Sequence, residues 1–196
     1  AYQTVAYARR YLAAVERVAA VERERTGTGD APIAAAYAHG LHKLMAYKDE
    51  YEVARLYLDT AERARITEEF GRGAKVRVLL HPPVLRALGL RRKLRLGPWV
   101  FPAFRALHAA RRLRGTVVDP FGHTRLRRTE RGLAGEYDAL VAAALERLEP
   151  ATVGAVRAVA ELPDVVRGYE DVKLRGVARF REQGPALVAA VAAAQA

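Results

Sequence analysis

The sequence predicts a mainly α fold, a helical bundle formed as one domain over residues 1–196, with a small β-hairpin insertion in its middle third. Three observations predict it. Apolar residues make up 51% of the chain, enough to bury a core. Toward both ends the pattern is helical, with apolar positions at three- and four-residue steps in the first part. Between about residues 75 and 122 that pattern gives way to short β-branched alternation, prolines and glycines.

The first helix reads from about residue 2 to 25. Tyr7, Tyr11, Ala14, Val18 and Val21 form one apolar stripe, with Arg10, Arg17 and Glu24 elsewhere on the surface. Thr26-Gly27-Thr28-Gly29 stops it, and Asp30 is placed to cap the next helix with Pro32 in its first turn. That second helical region covers about residues 31–70. Leu44, Tyr47, Tyr51, Ala54 and Leu58 continue a seam, while Lys48, Glu52, Arg55, Asp59 and Arg63 alternate in sign on another face. Its length invites a kink or break at a place the pattern does not fix. Gly71 and Gly73 end it.

Lys75-Val76-Arg77-Val78-Leu79-Leu80 alternates and reads as a short strand, ended by His81-Pro82-Pro83. Residues 91–96 offer a partner strand across a connection containing Val84 to Gly89. Gly97-Pro98 and Pro102 break the chain around Trp99, Val100 and Phe101, and a short helix is expected over residues 104–112. Residues 115–122 carry turn chemistry in Asp119-Pro120-Phe121-Gly122. Helices then follow at about residues 124–148, 152–161 and 171–194, the last expected to bend at Gly184-Pro185.

The net charge of +11 is concentrated. Residues 75–131 hold 15 basic and 2 acidic side chains, whereas residues 1–74 balance 11 against 11 and residues 132–196 hold 7 against 9. Such a block favours an anionic partner, whether nucleic acid, an acidic protein or a phosphorylated ligand. Arginine and alanine are also abundant in the manner of GC-rich coding, so charge alone leaves the question open. Three dense clusters supply the candidate anion- or partner-binding residues: Arg91, Arg92, Lys93 and Arg95; Arg111, Arg112 and Arg114; and Arg125 and Arg128, with Arg127 between them. Guanidinium forks grip phosphate or carboxylate at two points. Trp99, Phe101, Phe104 and Phe121 lie among the clusters, more as core under loops than as a stacking platform for bases.

Other chemistry finds little support. The chain has no cysteine, which excludes disulfides and thiolate-held clusters, and no serine. Gly27-Thr28-Gly29 and Gly71-Arg72-Gly73 lack the third glycine and the strand-to-helix setting of a dinucleotide loop. His39 and His42 stand three residues apart without an evident third ligand, so no metal site is assigned, and His81 and His123 read as loop residues. Asp49-Glu50-Tyr51-Glu52 sits among Lys48 and Arg55, which favours structural ion pairing over acid–base catalysis. No catalytic residue is nominated. No run of about 18 apolar residues exists, so no membrane span is expected, and a cytoplasmic location is. Ala1-Tyr2-Gln3-Thr4 resembles neither a leader nor a translation start, and Met45 is the sole methionine; a segment of a longer protein is the expectation.

Several stretches together carry a resemblance. They are residues 43–57, Lys-Leu-Met-Ala-Tyr-Lys-Asp-Glu-Tyr-Glu-Val-Ala-Arg-Leu-Tyr; Gly97-Pro98-Trp99 with Pro102-Ala103-Phe104-Arg105; Leu113-Arg114-Gly115-Thr116 with Asp119-Pro120-Phe121-Gly122; Glu136-Tyr137; and Leu162-Pro163, Arg167-Gly168-Tyr169 and Val172-Lys173. In this order, over about residues 1–182, the chain resembles the C-terminal domain, of unassigned function, of bacterial fused indolepyruvate ferredoxin oxidoreductases. The resemblance implies a parent that oxidatively decarboxylates aryl 2-oxoacids to acyl-CoA, with thiamine diphosphate for the carbanion chemistry and iron–sulfur clusters passing electrons to ferredoxin. It implies those cofactors on other domains and none in this segment. Thr28-Gly29-Asp30-Ala31 departs from a thiamine signature at the second glycine. The expected role is a non-catalytic accessory domain that packs against the other domains of an oligomeric parent, its basic middle meeting acidic ferredoxin or CoA. A basic nucleic-acid-binding module is the alternative; a membrane partner is not expected.

Overall fold

The computed structural model describes residues 3–47, 49–71, 73, 77–80, 92, 94–114, 116–123, 125–168 and 170–195, with backbone alone at Leu80, Arg125 and Glu170. The fold is mainly α with a small antiparallel hairpin in the middle third. Among the described residues the elements are α1 (Val5–Thr26), α2 (Pro32–Met45), α3 (Glu50–Tyr57), α4 (Thr60–Phe70), β1 (Val78–Leu80), β2 (Leu94–Leu96), α5 (Phe101–Ala109), α6 (Arg125–Leu145), α7 (Val153–Glu161) and α8 (Glu170–Ala193). Short 3-10 turns cover Pro98–Val100, Ala110–Leu113 and Leu162–Val165. Internal contacts divide the chain into two compact units: a bundle of residues 1–47 and 121–196, and an inserted module of residues 48–120.

In the bundle, α1, α2, α6, α7 and α8 close around Tyr37, Tyr137 and Phe180. The predicted stripe on α1 does face inward, with Val18 buried completely and Tyr7, Tyr11, Ala14 and Val21 packed against the core. Tyr7 and Tyr11 turn their hydroxyls to the carbonyls of Met45 and Ala38 at 3.1 and 3.2 Å, so their rings enter the core without stranding a polar atom. The Tyr37 and Tyr137 rings stack with centroids 5.3 Å apart. The Tyr137 hydroxyl donates to Ala160 O at 2.6 Å, and the Tyr37 hydroxyl donates to Asp138 at 2.5 Å.

The cap of α2 differs from expectation. Ala31, not Asp30, is the N-cap, and no side chain of the segment bonds the first turn. Glu22 does so from α1: its carboxylate, 1% exposed, accepts from Ile33 N at 2.9 Å and Ala34 N at 2.8 Å. An anion at a helix N-terminus meets both orphan N–H groups and the positive end of the dipole, which makes its burial tolerable.

The expected helix over residues 31–70 is three helices. α2 ends at Met45, α3 begins after Asp49, and α4 begins after Asp59. Both breaks are made by aspartate caps, with Asp49 accepting from Glu52 N at 2.8 Å and Asp59 from Ala61 N at 3.0 Å. Gly27 and Gly71 follow α1 and α4 with φ of +67° and +80°, so both glycine pairs are helix stops. In the module, Ala54, Val78, Val100 and Phe104 form a small core, with Tyr57 stacked on Phe104 at 5.2 Å. The strands pair Val78 with Leu96, Leu79 with Arg95 and Leu80 with Leu94. They are shorter than expected, while Lys75, Val76, His81, the 84–89 connection, Arg91 and Lys93 lie outside the described residues. The expected helix over 104–112 starts at Phe101 and tightens into the 3-10 turn at Ala110–Leu113. The last helix runs through Pro185 without interruption.

Candidate functional site

Two kinds of polar group sort themselves in the inserted module. The first is buried. Asp49 is 4% exposed, and the Arg114 guanidinium meets its two oxygens at 2.8 Å through Nη2 and 2.5 Å through Nε. Tyr51 donates to Asp119 Oδ1 at 3.0 Å, both groups being almost fully buried. Burial, then the Asp119 hydrogen bond, pushes the Tyr51 hydroxyl up to about 12. The Arg114 guanidinium also lies 5.5 Å from the centre of the Tyr51 ring. Glu52 takes a two-point grip from Arg55 at 2.7 and 3.0 Å. His108 stands near Arg55, Arg111 and Glu52; burial, then Arg111 and Arg55, hold its imidazole below its ordinary value. Its Nδ1 is enclosed without a hydrogen-bond partner among the described residues.

These contacts tie together the two ends of the insertion. Asp49 and Tyr51 belong to the entering chain, Arg114 and Asp119 to the leaving chain. The motif Asp49-Glu50-Tyr51-Glu52 does enter ion pairs, Glu52 with the nearby Arg55 and Asp49 with an arginine 65 residues away.

The second kind faces solvent. Arg92, Arg95, Arg111 and Arg112 are exposed, and Arg95 lies on the outward side of β2. Arg111 donates to the carbonyl of His108 at 3.0 Å. Arg114 is the exception among the nominated arginines of the module, since its side chain is engaged by Asp49. Arg91 and Lys93 lie outside the described residues, as does the side chain of Arg125. Arg128 is exposed on α6 in the bundle. Its neighbour Arg127 faces inward, pairing with buried Glu130 at 2.6 Å, which Lys173 also contacts, and lying 5.6 Å from the Tyr47 ring centre.

Of the aromatic residues noted among the clusters, Phe104 is core, Phe101 and Phe121 are half-buried, and Trp99 is 70% exposed. The indole rests against Gly97, where an added Cβ would come within 3.2 Å of Cδ1. Reading Trp99 as core is thus corrected. A proline-flanked 3-10 turn holds it outward, because Val100 is the apolar residue of Pro98–Val100 that reaches the core.

Concavities of the bundle include two lined by described residues. One, of about 280 Å³, is lined by His39, Gly40, Arg157, Glu161, Pro163 and Asp164 among others. Its charges answer each other, Arg157 pairing with Glu161 at 2.7 Å and Asp164 with Lys43 at 3.0 Å. The Lys43 contact holds the Asp164 carboxyl below its usual value. The other is an apolar groove of about 650 Å³ along α6 and α8, containing Leu140, Ala143, Phe180 and Val188. His42 lies edge-on to Tyr11. Among the described residues no three His, Asp or Glu side chains converge as metal ligands, and no helix is long and apolar enough to cross a membrane.

No curated protein and no solved structure matches the chain. A family profile does, across residues 1–185. The chain is therefore a member of the family of unknown function DUF6537.

Proposed function

We propose that this chain is a non-catalytic accessory domain of an indolepyruvate-type 2-oxoacid:ferredoxin oxidoreductase, and that its inserted module is the part that meets an anionic partner. The motif resemblance supplies the enzyme. The observation carrying the second half is the sorting of charge in the module. Residues 48–120 hold 16 basic and 8 acidic side chains, and several of the acidic ones are engaged locally: Asp49 by Arg114, Asp119 by Tyr51, Glu52 by Arg55 and Glu62 by Arg65. Arg92, Arg95, Arg111 and Arg112 are exposed, while the exposed acidic groups Glu62, Glu68 and Glu69 lie on α4. Such a surface raises association rates with acidic ferredoxin, or holds the phosphates of CoA, and weakens as salt screens it.

The parent's thiamine diphosphate and iron–sulfur clusters belong, on this reading, to other domains. A chain without cysteine supplies no thiolate to a cluster. The bundle's role is assembly with those domains. The test is ferredoxin reduction by the parent enzyme over a range of ionic strength, before and after Arg92→Glu, Arg95→Glu and Arg112→Glu together. The expected result is a KM raised several-fold at low salt, with kcat held. A KM unchanged at every ionic strength rejects the docking role. The exposed Trp99, four residues after the exposed Arg95, keeps a nucleic-acid module as the second reading. That reading requires binding of generic DNA or RNA with a steep negative salt slope, and a flat titration at low salt removes it.

A further inference from the structure

We infer that Trp99 is the apolar anchor of a docking surface for an acidic protein face. This rests on the reading of the module as the contact for an anionic partner, and names both the partner's class and the residue that holds it.

Trp99 is the sole tryptophan of the chain and stands 70% exposed. A large aromatic left in water is the kind of residue that dominates binding energy at protein interfaces. Its position is also fixed. One edge of the indole rests against Gly97, with Cδ1 and Nε1 within 3.2 and 3.3 Å of the place a Cβ would occupy. Pro98 and Pro102 set the backbone on either side, in a 3-10 turn that runs directly into α5. A pre-positioned ring loses little freedom on binding.

The chain on either side of Trp99 carries exposed arginines, Arg95 before it and Arg105 after it. Arg95 points outward from β2 four residues earlier, opposite Leu79, which is 52% exposed. Arg63 places its guanidinium 4.2 Å from the centre of the Phe101 ring, two residues beyond Trp99. Arg105 follows Phe101 by one helical turn, on the same face of α5. An exposed indole in a stretch that carries exposed arginines on either side of it suits an apolar side chain set among carboxylates, since Trp and Arg are the types enriched at such anchors. A single-stranded nucleic acid wants successive aromatic platforms for successive bases. Here the next ring, Phe101, is half-buried and covered by Arg63, and Phe104 is buried. Among the described residues the patch thus offers one platform, not a track, and favours a protein.

The test titrates the chain with three labelled probes: a glutamate–tyrosine copolymer, polyglutamate and oligothymidine. Anisotropy reads binding for every variant, and emission excited at 295 nm reads Trp99 directly in the unmodified chain. The copolymer is expected to bind saturably, more tightly than polyglutamate, with a blue shift of Trp99. Trp99→Ala should weaken it by about tenfold or more, and Trp99→Phe should recover part of that. Circular dichroism should be unchanged, because the side chain is exposed. No saturable copolymer binding, equal binding by Trp99→Ala, or oligothymidine burying Trp99 at lower concentration than the copolymer would each overturn the inference. If arginine reversal alters the ferredoxin KM but Trp99→Ala does not alter copolymer binding, the anchor alone is wrong. If copolymer binding needs Trp99 while the ferredoxin KM ignores the arginines, the oxidoreductase reading alone is wrong.

Discussion

At Tyr51 a phenol is enclosed beside an enclosed carboxylate, and its pKa stands above the unfolded value of 10, at about 12. Between those values the unfolded state has released a proton that the native state keeps, so stability falls as pH rises through that window. Tyr37 and Tyr137 are pushed up too, chiefly by burial, and add to the same slope. Absorbance titration at 295 nm should therefore show fewer than the chain's nine tyrosines ionising near pH 10, with the rest released as the fold opens. Tyr51→Phe should remove one late proton. Simultaneous ionisation of all nine with the helices intact would contradict the buried phenols. His108 has the opposite sign. Its neutral form is favoured, so stability is lost as pH falls below the ordinary imidazole value, and His108→Leu should blunt that loss in acid denaturation curves. Glu22 is a costly side chain to remove. Glu22→Ala leaves two buried N–H groups without acceptors and should lower the urea-unfolding free energy by about 3 kcal/mol. In the sequence, a carboxylate one position past Val21 looks like the edge of the polar face. Only the folded neighbour, the start of α2, explains its burial.

Among elements, the helices were legible wherever one apolar stripe met one environment. α1, α6, α7 and α8 fall close to their expected spans. The region 31–70 misled because Leu44, Tyr47, Tyr51, Ala54 and Leu58 keep helical spacing across a break and are all at least partly buried, the first two in the bundle and the others in the module. The readable clue was local: Asp49-Glu50-Tyr51-Glu52 and Asp59-Thr60-Ala61-Glu62 both place an acidic cap three residues before a glutamate. Glycines inside helices divide by what surrounds them. At Gly40 of α2 a Cβ would lie 2.8 Å from both Pro163 Cγ and the Tyr137 hydroxyl, so Gly40→Ala should destabilise by about 1–3 kcal/mol through overpacking. At Gly135 of α6 nothing lies within 4 Å, so Gly135→Ala should stabilise by about 0.5–1 kcal/mol. Thermal melts of the two variants should move in opposite directions.

For the molecule as a whole, the division into bundle and module localises the effects of substitution. Asp49→Ala removes the cap of α3 and strands Arg114. It should cost about 3–5 kcal/mol, seen as lost amide protection within residues 49–119 while α7 and α8 keep theirs. Equal loss in both units would show that they unfold as one. The charge map read from sequence located the module's basic character, but not which arginines face out. Arg114 and Arg95 are alike as letters. A carboxylate 65 residues upstream draws one inward, and strand alternation turns the other to solvent.

The bundle is assembled from two stretches of chain with the module between them. On the ribosome, α1 and α2 emerge before α6, α7 and α8, which are not yet there to receive them. At roughly 5–20 residues per second, the intervening segment postpones their arrival by several seconds. The early helix pair is expected to wait with Val18, Ile33 and Leu41 uncovered, the kind of exposed apolar surface that chaperones hold. Nascent chains stalled with Pro120 just outside the exit tunnel should resist protease within Glu50–Tyr57 and Phe101–Ala109 while Val5–Met45 is still cut.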